Sequence, residues 1–223
     1  FMIYDTKGSK RIKMIAKYQQ FRAVQKCILQ TELGTNPLEK GGIVWHTPGA
    51  GKSLDMLWVA MRLKRKYGNP TVIVVTDRRQ LDKQIHNTFV SCGFPSPTKA
   101  GDRDDLREMI EKNKGKTIMT TIQKFPFFKE DEEIHAVSDE PLFVLVDESH
   151  RTNFGINAGS MREALPNEVF FANTGTPILK KGKQKRWFGG YVDKYKLAQS
   201  EADEVTVPVL YESRHTLIEV KGE

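Results

Sequence analysis

With 223 residues, 39% of them apolar, the chain can bury one sizeable core, and it has no apolar run near the roughly 20 residues needed to cross a bilayer. Lys and Arg number 35 against 28 Asp and Glu, an interspersed balance of +7 that favours an anionic partner without identifying one. Cys27 and Cys92 sit in unlike contexts and the five His show no ligand spacing, which excludes a disulfide scaffold and a zinc site and fits a reducing, cytoplasmic compartment.

The chain opens on Phe1-Met2-Ile3 in a strand-like run, so a segment of a longer polypeptide is expected. Residues 17–33 place Phe21, Val24, Ile28 and Leu29 at helical spacing and stop at Gly34-Thr35-Asn36-Pro37. Apolar runs then recur at 42–46, 71–76, 116–121, 142–147 and 169–174, each followed by a helical or turn-rich stretch. That alternation predicts an α/β fold, a mostly parallel sheet with helices on both faces. Between the first two runs, residues 53–67 form a predicted helix through Leu54, Leu57, Trp58, Met61 and Leu63, closed by Gly68-Asn69-Pro70. A second helix is predicted over 78–90, after Thr76-Asp77, whose side chains can cap free backbone N–H groups. Further on, the charged stretch 180–186 reads as solvated surface before Trp187-Phe188-Gly189-Gly190, and residues 205–220 alternate apolar with polar as strands do. There is no internal repeat.

His46-Thr47-Pro48-Gly49-Ala50-Gly51-Lys52-Ser53 joins the end of a buried strand to the start of a helix. Gly49 and Gly51 allow the backbone to fold tightly enough for successive N–H groups to point at phosphate oxygens, and the new helix adds its positive end. Lys52 supplies a point charge to the terminal phosphates, and the Ser53 hydroxyl suits magnesium. The general phosphate-loop pattern has Gly where His46 stands, so the strict expression fails by one residue. A Gly-rich turn with a solvated Lys would share the Gly-Lys-Ser tripeptide; the placement between strand and helix separates the two readings.

The run 142–146 delivers Asp147-Glu148-Ser149-His150 at its carboxyl end, the edge where open α/β sheets bind ligands. Asp147 can hold magnesium, and Glu148 can orient or deprotonate an attacking water. His150 can sense the third phosphate or be a satisfied structural histidine. After the next run stands Thr174-Gly175-Thr176-Pro177, whose hydroxyls and glycine suit a relay between nucleotide and nucleic acid, though a plain strand exit has the same composition.

In this order, the motifs resemble the amino-terminal motor lobe of superfamily 2 helicases and translocases. Within that superfamily the chain is most similar to the restriction (motor) subunit of type I restriction-modification enzymes. The similarity is carried by Lys17-Tyr18-Gln19-Gln20, Val44-Trp45-His46 with the phosphate loop, Asp147-Glu148-Ser149-His150-Arg151-Thr152 and Thr174-Gly175-Thr176-Pro177 followed by Lys180-Lys181. Tyr191-Val192-Asp193-Lys194-Tyr195 and Val207-Pro208-Val209-Leu210-Tyr211-Glu212-Ser213-Arg214 continue it.

The resemblance implies a RecA-like P-loop NTPase lobe that uses ATP and Mg2+ in a translocase of double-stranded DNA. It implies methyltransferase and specificity subunits as partners and a second RecA-like lobe in the parent chain. Residues 1–16 then lead in from an upstream domain, 17–190 form the ATP-binding lobe, and 191–223 extend toward the second lobe. Tyr18 and Gln20 are assigned to the adenine base, which a planar amide can match with one donor and one acceptor. Thr76-Asp77-Arg78-Arg79-Gln80 and Thr120-Thr121-Ile122-Gln123-Lys124 fall on the DNA track, where they would hold backbone phosphates without reading sequence. The family's nuclease module and the second lobe with its arginine finger have no counterpart in these 223 residues, so weak nucleotide binding and poor hydrolysis are expected of the isolated chain. Another superfamily 2 DNA or RNA helicase, or a non-catalytic nucleotide-binding module, stands as the alternative.

Overall fold

The computed structural model describes residues 1–77, 79–95, 97–112, 114–125, 141–147, 154–177, 183–208 and 212. An antiparallel hairpin comes first: β1 (Met2–Lys7) and β2 (Lys10–Ile15) pair from Met2 opposite Ile15 to Lys7 opposite Lys10. Its two-residue turn has Gly8 at φ +60°, where only glycine is unstrained. Then follow α1 (Tyr18–Leu33), the short α2 (Pro37–Lys40), β3 (Gly42–His46), α3 (Lys52–Lys66), β4 (Val72–Thr76) and α4 (Arg79–Ser91). After β5 (Thr98–Lys99) come α5 (Arg103–Lys112), β6 (Thr117–Thr121) and a 3-10 turn at Ile122–Lys124. The remaining elements are β7 (Phe143–Asp147), α6 (Phe154–Ala164), β8 (Val169–Thr174), α7 (Lys183–Phe188), β9 (Tyr191–Tyr195) and α8 (Leu197–Ala202).

Seven strands form one sheet in the order β5-β6-β4-β7-β8-β3-β9, and every neighbouring pair is parallel. All carboxyl ends therefore lie on one edge. Alternation along each strand divides the core in two. Val72, Val74, Phe143, Leu145 and Phe171 face one layer with Val24 of α1, Leu57 and Leu63 of α3, and Phe89 of α4. Ile73, Val75, Val144, Val146 and Phe170 face the other, with Leu106 of α5, Met161 of α6 and Phe188 of α7. A strand buried on both faces is apolar throughout, which is why these runs showed no hydrophobic alternation of their own. Each fully buried Leu or Phe contributes about 1.5–3 kcal/mol.

The five predicted runs are strands, three of them opening one residue later than expected, and the three predicted helices fall within a residue of α1, α3 and α4. α3 ends as its sequence predicts, with Gly68 and Asn69 both at positive φ. The Lys64 ammonium closes that turn, donating to Asn69 Oδ1 and the carbonyls of Pro70 and Gly115 at 2.8–3.1 Å. Burial holds its pKa down to about 8.

Two differences matter. Tyr191–Tyr195, placed by sequence in a C-terminal extension, is β9 and pairs in parallel with β3 at the sheet edge. Its two charged residues hid it, because Asp193 is buried by partners far away in sequence. Of the charged stretch 180–186, residues 183–186 open α7 and Lys185 and Arg186 are exposed, in line with a solvated face, while the same helix buries Phe188. Of the strand-like stretch 205–220, the described residues 205–208 and 212 hold no strand, and residues 205 and 206 bond back to Ser200 as a turn. Among the described residues no helix is long and apolar enough to cross a membrane, and Cys27 and Cys92 are buried and free.

Candidate nucleotide site at the carboxyl edge

Residues 47–51 leave the end of β3 and enter α3 through two left-handed glycines, Gly49 at φ +84° and Gly51 at φ +90°. Gly51 is the N-cap, and its carbonyl accepts from the N–H groups of Leu54 and Asp55 at 2.9 and 3.2 Å. The loop is anchored below by Ala50 N–H to the Thr47 carbonyl at 3.2 Å and by Thr47 N–H to the Tyr195 carbonyl of β9 at 2.9 Å. Thr47 and Ala50 are buried, Pro48 and Gly49 exposed, and Gly51, Lys52 and Ser53 half-exposed. The loop thus presents its apex and the first turn of α3 to solvent, as an anion cradle must.

Gln20 reaches this loop from α1. Its Oε1 accepts from Lys17 N–H at 3.0 Å, completing the α1 cap, and its Nε2 donates to the Gly51 carbonyl at 3.3 Å. A Cβ on Gly51 would lie 2.6 Å from Gln20 Nε2, so only glycine admits this contact. Tyr18 is half-exposed beside the same helix start. Its hydroxyl donates to Asp203 and accepts from Gln199 Nε2 at 3.0 Å. The hydrogen bond to Asp203 raises the phenol's pKa.

Asp147 ends β7, buried and in register with Asn173 of β8. β8 is the one strand between β7 and β3, so Asp147 and the phosphate loop leave the same edge two strand spacings apart, about 10 Å. The end of β8 fills that interval. Thr174 is buried opposite Trp45, Trp45 Nε1 donates to the Gly175 carbonyl at 3.1 Å, and a Cβ on Gly175 would meet Pro48 at 2.9 Å. Thr176 is exposed, its N–H on Thr174 Oγ1 at 3.3 Å. Glu148 and His150 lie outside the described residues. For a metal, Ser53 and Asp147 offer hard oxygen donors, and no group of three His, Cys, Asp or Glu among the described residues could hold one. That donor set fits magnesium, which keeps several waters and takes substrate phosphates rather than a full protein cage.

Beneath the loop lies a charged cluster that sequence reading missed. His46, fully buried, places Nδ1 3.0 Å from Asp55 Oδ2 and Nε2 3.0 Å from Asp193 Oδ2. Asp193 also accepts from Arg22 Nε and Nη2 at 2.9 and 2.8 Å and from Lys26 at 2.8 Å. Burial pulls the His46 pKa down, but the two carboxylates outweigh it and leave the ring's pKa raised. For Asp193, burial works upward and is overcome by His46, Arg22 and Lys26, which hold it well below the usual carboxylate range. Asp55, enclosed and away from the arginine, is pushed up by burial against the opposing pull of His46, Gln20 and Lys52. The only sequence signal was the missing glycine at position 46; Asp193 lies 147 residues away from it, and nothing local marks the pair.

The expected DNA track opens on a cleft of about 930 Å³ at the ends of β4 and β6, lined by Asp77, Lys83, His86, Lys99, Thr121 and Gln123 among others. Gln123 Nε2 donates to the Asp77 carbonyl at 2.7 Å and Lys124 Nζ to the Ala100 carbonyl, so both tie loops of this edge together. Thr121 is half-exposed, whereas Thr120 is buried with its hydroxyl enclosed. Arg78 lies outside the described residues; Arg79 opens α4, and its side chain lies outside them too.

A parallel seven-stranded sheet with a glycine loop, an acid and a threonine turn on one edge defines a RecA-like lobe of the helicase type. The UvsW helicase of bacteriophage T4 has the same fold, with a TM-score of 0.62 at 21% identity over 86% of this chain and 64% of that one. The SWI2/SNF2 ATPase core of Sulfolobus solfataricus, solved in complex with dsDNA, gives 0.54 at 18% identity over 76% and 34%. Residues 19–223 match the SWI2/SNF2 ATPase family, and the chain belongs to it. It is 37% identical to the type I restriction enzyme HindI endonuclease subunit of Haemophilus influenzae, over 95% of this chain and 22% of that protein. The chain thus spans about a fifth of the length of the curated relatives it matches.

Proposed function

We propose that this chain is the ATP-binding and ATP-hydrolysing motor lobe of a type I restriction endonuclease subunit that translocates double-stranded DNA. The observation that carries the reading is the convergence of the Gly49–Gly51 loop, Asp147 and the 174–176 turn on one sheet edge. Backbone N–H groups of the loop and Lys52 would bind the phosphates, while Ser53 and Asp147 would hold Mg2+. When bound, the ion supplies positive charge at the phosphate oxygens. Glu148 would position or deprotonate the attacking water and His150 would sense the third phosphate. Gln20, already on the loop, and Tyr18 would bound the adenine side. The 174–176 turn, packed on Pro48, would relay the nucleotide state toward the cleft holding Thr121, Gln123 and Lys124, with Arg78, Arg79 and Thr120 on the same track. Methyltransferase and specificity subunits and a second RecA-like lobe complete the proposed assembly.

The test is ATP hydrolysis by the full-length protein with linear duplex DNA, single-stranded DNA or RNA. Stimulation by duplex DNA is expected. Stimulation by RNA alone would replace the restriction reading with that of an RNA helicase, and nucleotide binding without turnover under every condition would leave a binding module.

A further inference from the structure

Residues 46 and 55 bracket the phosphate loop, one at its strand end and the other in the first turn of the helix behind it, and one imidazole joins them. The same ring continues through Asp193 of β9 to Arg22 and Lys26 on the helix that carries Gln20. We propose that His46 is a positioning residue of the nucleotide site: it clamps both ends of the phosphate loop and holds them in fixed relation to the Gln20-bearing helix. This rests on the nucleotide-binding reading above.

Two features give the clamp direction. A neutral imidazole has one donor and one acceptor, yet both nitrogens here face carboxyl oxygens at 3.0 Å, so with both acids ionised the ring is satisfied only when both nitrogens donate. A loop held by two charge-assisted bonds to a fully buried ring resists the shifts that neutral contacts allow. Stability alone accounts poorly for such a cluster, because buried ion pairs are often replaceable by apolar residues at no cost. Its position is informative: the chain crosses the cluster at the phosphate loop, at α1 and at β9, whose Tyr195 carbonyl also anchors Thr47. The strict phosphate-loop pattern has glycine at this position, and glycine has no side chain with which to do this.

The experiment is steady-state ATPase kinetics on the full-length protein, with circular dichroism to verify folding. His46→Gln carries both of its N–H donors on one nitrogen, where the two ring nitrogens of His46 meet two separate carboxyl groups, and it is expected to raise KM for ATP by about ten- to a hundredfold while kcat stays within about threefold. If His46→Gln does not fold, Arg22→Gln combined with Lys26→Gln cuts the link at its solvent side, where the side chains are 32% and 49% exposed. That variant is expected to raise KM by about three- to tenfold. An unchanged KM in a folded variant, or a fall in kcat with KM preserved, would overturn the clamp. Failure of the wild-type protein to bind ATP would instead overturn the nucleotide-site reading itself.

Discussion

Lys52 opens α3 directly behind two left-handed glycines, so its charge is added where backbone N–H groups already converge. Lys52→Ala is expected to abolish ATP binding in calorimetry on the full-length protein. Glu148→Gln preserves size and removes the base, so hydrolysis should be lost while nucleotide affinity is retained; hydrolysis that survives would remove Glu148 from the chemistry. His46 also carries a pH signature. Its folded pKa is raised, so its stabilising contribution is complete below about pH 6.5 and is lost as pH rises through the folded value. Urea denaturation of His46→Gln against wild type should therefore show the gap narrowing on the alkaline side. Positions were legible where the proposed chemistry needs a fixed residue type at a fixed spacing: Gly49 and Gly51 take positive φ, Lys52 opens α3 and Asp147 ends β7. They were illegible where the partner is remote: nothing beside Asp193 in sequence announces the histidine, arginine and lysine that surround it.

At the scale of elements, β7, β8 and α6 meet around Glu168 and Arg162. Glu168 accepts the Leu142 N–H at 3.2 Å, and Arg162 donates to the Glu168 and Trp187 carbonyls at 2.8–3.2 Å while its guanidinium stacks 3.9 Å from the Phe170 ring. Burial lifts the Glu168 pKa to about 7, against the pull of the Leu142 N–H and Arg162. The folded state therefore holds a proton that the unfolded chain releases near pH 4.5, and this carboxyl costs stability as pH climbs from about 4.5 to about 7. Glu168→Gln should stabilise the protein at pH 8 and change little at pH 4, measured by urea titration at both. Apolar runs identified the central strands because both faces are covered. β9 escaped because a sheet edge can hold a short polar strand whose charge is neutralised from a neighbouring helix, and of the hairpin only the start of β1 read as strand-like, β2 and the pairing escaping because the outer face is solvated and exposes Met2, Tyr4 and Ile15.

For the whole molecule, the seven strands of the main sheet all run one way, so every motif at the end of one of them arrives on one edge without further instruction. A single lobe supplies one side of a nucleotide site. If the proposed second RecA-like lobe of the full-length protein supplies an arginine finger to the third phosphate, the 223-residue chain purified alone should hydrolyse ATP on the order of a thousandfold or more slowly than the full-length protein; comparable turnover would refute this. The order of phosphate loop, acid and threonine turn could be read along the chain, since backbone geometry and phosphate chemistry restrict those positions to a few residue types. Which strand lies between them, that Gly175 packs against Pro48, and that His46 is held by two carboxylates follow from strand order and burial. Those are long-range contacts, selected by how the layers pack, and no local stretch of sequence encodes them.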